Sequence, residues 1–187
     1  MKHLSLLNNN PIGVFDSGLG GLTVLKALKE KLPKESFIYF GDTAHVPYGT
    51  KSAESVIQYS EKITTFLVQH NVKMVIIACN TASSVAEQHL KVKFDIPIFG
   101  VVSPCVDSAI QISKNKNIGV IGTQSTISSN SYTNAFKKRN SAFNIYEKAC
   151  PLFVPLIEEG WENNQISLDI TMEYLKGFRS HNIDTLV

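Results

Sequence analysis

The sequence predicts an α/β fold in which a mainly parallel sheet carries helices on both faces. Three observations carry this reading. Apolar runs of strand length (Pro11 to Phe15, Phe37 to Gly41, Met74 to Ala78, Ile98 to Val102, Ile118 to Gly122) alternate with stretches of helical periodicity. The connections between them are short and hold turn residues. The run Met74 to Ala78 is continuously apolar, as expected of a strand covered on both sides.

In chain order, Pro11 to Phe15 is a first strand and Asp16-Ser17-Gly18-Leu19-Gly20-Gly21 the turn after it. Leu22, Leu25, Leu28 and Leu32 recur at helical spacing until Pro33 ends the helix. Phe37 to Gly41 is the second strand, running into the ordered loop Asp42-Thr43-Ala44-His45-Val46-Pro47-Tyr48-Gly49. Ser52 caps the next helix, whose buried stripe is Val56, Ile63 and Leu67. The Met74 to Ala78 strand leads through Cys79 to a helix over Ser84 to Val92, capped by residues 80 to 83. A strand over Ile98 to Val102 follows, then a helix from Pro104, the strand Ile118 to Gly122 and a helix to about Arg139. A strand over Asn144 to Ala149, helices over Pro151 to Glu159 and Ile166 to Phe178, and a strand at Thr185 to Val187 complete the series. Two prolines, Pro97 and Pro104, bracket the best candidate boundary. His70-Asn71-Val72-Lys73-Met74-Val75 is echoed by His181 to Val187 with one residue inserted, which implies that the chain breaks off just before a second functional turn.

The 187 residues suffice for one good-sized core or two small ones. With 18 basic and 16 acidic side chains the net charge is +2, and Lys137-Lys138-Arg139 is the densest basic stretch, so neither nucleic acid nor a membrane surface is expected as a partner. The opening MKHLSLLNNN is too short and too interrupted for a signal core, and no run reaches transmembrane length. A cytoplasmic protein is expected. Cys79, Cys105 and Cys150 are widely spaced, arguing against a disulfide framework, and no ligand cluster suggests a metal.

Cys79 is the focal residue. It stands where an apolar strand meets a helix start, and helix N–H groups aimed at a sulfur favour thiolate over thiol. On that ground Cys79 is expected to be the most readily alkylated of the three cysteines. The competing reading is a buried structural cysteine, against which the polar Asn80-Thr81 at its rim weighs. The glycine-rich turn after the first strand lacks the third glycine of a dinucleotide fingerprint and has Asp16 where a pyrophosphate would approach. A small-molecule site fits better, with Asp16 and Ser17 at the carboxyl end of a strand. A thiol hydrolase would need a partner for Cys79, and His45 is the nearby-motif candidate.

Three segments in order, Gly13 to Val24, Gly41 to Gly49 and Ala78 to Ser83, resemble glutamate racemase, the cofactor-independent enzyme that supplies D-glutamate to bacterial peptidoglycan. Pro155 to Gly160 is also similar, and the likeness runs from Pro11 to Val187. It implies a two-domain enzyme, 1–97 and 98–187, with the substrate between the domains and one cysteine on each side of its α-carbon. By the same resemblance Cys79 is one catalytic thiol, and Asp16, Ser17, Tyr48, Gly49, Asn80 and Thr81 contact substrate. Asp16 and Glu158 assist the bases, and Thr123 is a further carboxylate-holding candidate. No cofactor and no metal is implied, and the full-length enzyme is expected to be a homodimer in the bacterial cytoplasm. The family continues into a second cysteine and a histidine that complete the site and then the first domain. The 187 residues alone are therefore expected to be inactive as a racemase. A ligand-binding fragment without turnover and an aspartate racemase are the alternatives.

Overall fold

A computed structural model describes residues 9–187. The opening stretch through Asn8, part of the segment read above for a signal core, lies outside the described residues. The chain divides into two compact units, residues 1–101 and 102–187.

The first unit is built on β1 (Ile12–Asp16), β2 (Phe37–Gly41), β3 (Met74–Ile77) and β4 (Ile98–Gly100), all parallel, in the order β2-β1-β3-β4. Their helices are α1 (Leu22–Lys31), α2 (Ala53–Gln69) and α3 (Asn80–Lys93). One sheet face packs Phe15, Val75 and Ile77 against Val56, Ile63 and Leu67 of α2 and Ala82, Ala86 and Leu90 of α3. The other face sets Ile12 and Val14 against Val24, Leu25 and Leu28 of α1. Each fully buried aliphatic side chain contributes roughly 1.5–3 kcal/mol on leaving water. The α2 stripe is as expected from its spacing, whereas Leu22 and Leu32 of α1 stay 44% and 40% exposed, because the β1 face reaches only the middle turns of that helix.

The second unit has a parallel sheet in the order β6-β5-β7, formed by β5 (Asn117–Gly122), β6 (Asn144–Ala149) and β7 (Thr185–Leu186). Around it lie α4 (Val102–Ile112), α5 (Gln124–Ser128), α6 (Ser131–Arg139), α7 (Phe153–Glu158) and α8 (Gln165–Leu175), the last running into a 3-10 turn over Lys176–His181. Val102, Val106, Ile118, Val120, Tyr132 and Phe136 form its core.

Three expectations are corrected here. The division falls after Val101 and not after Pro97, because Ile98–Gly100 pairs with β3 and so belongs to the first sheet. The helix expected from Pro104 begins at Val102, since a proline in the first turn lacks only an N–H that has no intrahelical partner anyway. The helix expected over Ser84 to Val92 begins at Asn80, so that Cys79 itself is its N-cap.

The faint repeat has a structural basis. Ile12 faces Met74 and Ile118 faces Thr185 in the two registers, so His70 to Met74 corresponds to His181 to Thr185 with no insertion, and Val187 corresponds to Ile76. Asn71 and Asn182 both adopt left-handed backbone, φ 56° and 48°, at the end of the preceding helical segment. A short polar side chain is tolerated there where most residues are not.

Candidate active site

The first unit brings two strand ends together. Beyond the end of β3, Cys79 takes the extended conformation of an N-cap, φ −82° and ψ 123°, and its sulfur accepts the Ala82 N–H at 3.4 Å. Its S–H donates to Ser17 Oγ at 3.4 Å, on the turn after β1. Asp16, the last residue of β1, is buried at 6% exposure. Its Oδ2 accepts the backbone N–H groups of Gly18 at 3.1 Å and Gly21 at 3.0 Å, which fold the turn around the carboxylate. Gly21 is required there: a Cβ would lie 2.5 Å from Asp16 Cβ and 2.9 Å from Ala78 Cβ.

Burial pushes the Cys79 thiol up, and the negative charge of Asp16 adds to it; the hydrogen bonds that Ser17 and the Ala82 N–H give the sulfur in its ionised form pull the other way and do not win. This reverses the expectation of a dipole-stabilised thiolate. One helix terminus supplies a partial charge, whereas Cys79 is only 6% exposed and has a carboxylate for a neighbour. The balance favours the thiol over the thiolate. Burial also raises Cys105 and Cys150, and Cys105 alone of the three is more than marginally accessible.

The loop after β2 supplies the third side. Tyr48 is 1% exposed and donates its hydroxyl to Asp42 Oδ2 at 2.6 Å; Gly49 is buried beside it. Burial first, then the Asp42 hydrogen bond, pushes the Tyr48 phenol far up, so it remains a donor. His45 turns Nδ1 to Asp42 Oδ1 at 2.7 Å and stacks on Tyr59 at 4.2 Å between ring centres. It serves the Asp42 carboxylate, so the thiol hydrolase arrangement with His45 as the partner of Cys79 is not formed. Asn80 is exposed on the first turn of α3, while Thr81 is buried at 3%.

Asp16, Ser17 and Cys79 are thus brought together at two neighbouring strand ends, Cys79 hydrogen-bonded to Ser17 and Asp16 to the turn that carries it, with Tyr48 near enough for Cys79 to act on its phenol electrostatically. Glu158 and Thr123 belong to the second unit: Glu158 is exposed at the end of α7, and Thr123 caps α5 by accepting the Thr126 N–H. Sequence reasoning singled out neither Asp42, which accepts the Tyr48 hydroxyl, nor Tyr39, whose hydroxyl donates to the Gly18 carbonyl beside Ser17. Asp42 could have been found from the pattern it shares with Asp16, an acidic residue at a strand end inside a glycine-containing turn. Among the described residues no group of three or more His, Cys, Asp or Glu side chains is placed to hold a metal ion, and no helix is long and apolar enough to cross a membrane.

The class is thus a parallel α/β protein with a buried thiol and a carboxylate at adjacent strand ends, the side of an open α/β sheet on which ligands bind. The profile of the Asp/Glu/Hydantoin racemase family matches residues 12–171, and the chain belongs to that family. It is 51% identical over 178 residues to the glutamate racemase of Sulfurihydrogenibium sp. (strain YO3AOP1), covering 95% of this chain and 68% of the relative. The glutamate racemase of Chlorobium phaeobacteroides is 46% identical over 188 residues, covering 100% of this chain and 69% of the relative. Among solved structures, glutamate racemase from Francisella tularensis in complex with D-glutamate matches with a TM-score of 0.89 at 42% identity, over 95% of this chain and 67% of that one. An aspartate racemase from Picrophilus torridus, at 18% identity and a TM-score of 0.62, shares the fold. The chain spans about two thirds of the length of these glutamate racemases.

Proposed function

We propose that this chain contributes to an isomerase that interconverts L- and D-glutamate, with Cys79 moving the proton on one face of the α-carbon. The observation that supports this best is the position of Cys79 as the N-cap of α3, hydrogen-bonded to Ser17 and beside the Asp16 carboxylate. Inversion requires a proton to leave one face and another to arrive on the opposite face, so two acid/base groups must flank the carbon. A buried, protonated Cys79 is ready to donate. An ammonium group beside Asp16 would offset the field that now holds the thiol up, so substrate binding itself would make Cys79 easier to deprotonate. Ser17, Asn80, Thr81 and the backbone at Tyr48 and Gly49 offer donors for the substrate carboxylates, and the carbanion is stabilised by such fixed hydrogen bonds without an electron-sink cofactor. D-glutamate for peptidoglycan, the bacterial cytoplasm and a homodimer belong to the same reading, as does Glu158 as an assisting acid.

The opposite face needs a second acid/base group, which the resemblance to the family makes a second thiol. Cys105 packs against the core of the second unit and Cys150 donates to the Lys148 carbonyl at 3.7 Å, both in structural settings. The 187 residues alone are therefore inactive on this reading, and a chain carried on to the length of its relatives is active. Circular dichroism of D- and L-glutamate incubated with both chains tests this. The longer chain should racemise glutamate with neither pyridoxal phosphate nor metal added and in the presence of a chelator, and Cys79→Ala in it should cost at least about 10² to 10⁴ in rate. Undiminished turnover in Cys79→Ala, or equal turnover by the shorter chain, would overturn the assignment. Faster turnover of aspartate would move the substrate.

A further inference from the structure

Within the apolar strand Phe37-Ile38-Tyr39-Phe40 one side chain carries a polar end. Tyr39 lies opposite Val14 in the β1–β2 register and packs its ring against the Ile12, Val14 and Ala78 face of the sheet. Its hydroxyl crosses to the neighbouring turn and donates to the Gly18 carbonyl at 3.0 Å. The N–H of that same residue donates to Asp16 Oδ2. Gly18 is therefore held at both polar ends, by Asp16 on its nitrogen side and by Tyr39 on its oxygen side. The next residue back, Ser17, receives the Cys79 S–H. The strand end leaves no slack: a Cβ on Gly41 would stand 2.4 Å from the Gly18 carbonyl oxygen and 3.2 Å from Tyr39 Cε1.

We propose that Tyr39 is a positioning residue of the thiol site: its hydroxyl fixes the Gly18 peptide and so holds Asp16 and Ser17 in register with the Cys79 sulfur. Its consequence for turnover rests on the racemase reading, whereas its geometry does not. The phenol suits the task because it stays a donor. Burial first, then the negative charges of Asp16 and Cys79, push Tyr39 up to about 12. The same causes place its ring within electrostatic reach of both groups.

Tyr39→Phe tests this, because it keeps the ring and its packing and removes only the donor. With the turn released, the hydrogen bonds that Ser17 gives the ionised Cys79 sulfur, which pull its pKa down, weaken, while burial and Asp16 continue to push it up; Tyr39 and Tyr48 stay neutral in this range and add no charge. The midpoint pH for iodoacetamide alkylation of Cys79, followed by peptide mapping on the 187-residue chain, should rise by about half a unit or more. Thermal melting verifies that the variant is folded. In the chain carried on to the length of its relatives, kcat for glutamate should fall about five- to tenfold, with KM changed less than about twofold. Superimposed alkylation profiles for the native chain and the Tyr39→Phe variant, both melting cooperatively, would overturn the proposal, whatever the kinetics. Absence of racemisation by the unsubstituted longer chain would overturn the racemase reading instead, leaving the alkylation midpoints to decide the role of Tyr39.

Discussion

The two units repeat one frame and fill it differently. In each, a strand enters the centre of a parallel sheet, a second strand pairs on one side, and the chain returns through a helical segment and a left-handed asparagine to pair on the other. Register equates Gly13 with Gly119 and Val72 with Ile183, and the same crowding recurs: a Cβ on Gly13 would meet Val72 at 3.3 Å, and one on Gly119 would meet Ile183 at 3.2 Å. The strand ends diverge. β1 ends in a carboxylate that draws two backbone N–H groups around itself, whereas β5 ends in Gly122 and hands over at once to Thr123, an ordinary N-cap. The frame is shared, and the last residue of the strand with the turn after it makes the difference.

The largest expected difference between the units lies at those turns. Gly21→Ala drives a methyl group into Asp16 Cβ and Ala78 Cβ, neither of which can move away, and should destabilise by about 3 kcal/mol. Gly122→Ala meets only Thr126 Cγ2 at 3.3 Å and Cβ at 3.4 Å, and should cost less than about 1 kcal/mol. Urea denaturation of both variants measures this. Equal losses would mean that the first turn is no more tightly built than the second.

Thiol accessibility sharpens the comparison next. Cys79 and Cys150 are 6% and 2% exposed, while Cys105 is half-buried. Native-state alkylation at pH 8 followed by peptide mapping should label Cys105 about tenfold faster than either of the others, since reagent access requires local opening at the buried sites. Preferential labelling of Cys79 would restore the activated thiolate that its place in the sequence suggested.

Lys73 and Asp184 occupy equivalent places and carry opposite charges. Lys73 pairs with Glu35, whereas Asp184 is held by the N–H of Asn115 first, together with the Ser113 hydroxyl and the Lys114 N–H. These bonds lower Asp184 from 3.8 to about 2. A carboxylate depressed in the folded state contributes stability that is fully present above the unfolded value and is lost as pH falls through the folded one. The melting-temperature gap between the native chain and Asp184→Asn should thus be constant above about pH 5 and close between about pH 4 and pH 2. A gap that persists at the acid end of that window would assign the loop's stability to something other than the ionised carboxylate.

Much of this was legible in the sequence. Strand and helix order followed from apolar runs and leucine spacing, and Cys79, Asp16 and Ser17 were marked by standing just past strand ends. Three things were not legible. The pairing partner of Ile98–Gly100 is a long-range choice that a three-residue strand does not encode. The ionisation of Cys79 depends on how deeply the sulfur is buried and on the approach of Asp16 from a strand distant in sequence, so a local helix-dipole argument gave the wrong sign. Tyr39 read as one more β-forming residue because its partner, Gly18, lies across the sheet on another strand's turn.

The smallest effect probes the frame itself. Asn71 and Asn182 both hold a backbone conformation in which a Cβ crowds the following carbonyl, at roughly 1–2 kcal/mol for an ordinary residue and less for asparagine. Alanine at either position should therefore destabilise by about 1 kcal/mol, and glycine should leave stability within about 0.5 kcal/mol, because glycine has no Cβ but is looser in the unfolded chain. The Asn182 carbonyl also accepts from the side chains of Asn115 and Asn117, but that is a backbone contact which both substitutions retain, so the two positions should respond alike. Urea titrations of the four variants decide it. Matched losses at the two alanines would establish the left-handed asparagine as a shared structural joint of both units. A loss at Asn71→Ala with none at Asn182→Ala would reduce the likeness of His70-Asn71 and His181-Asn182 to coincidence, and leave the crowding at Gly13 and Gly119 to argue for the repeat alone.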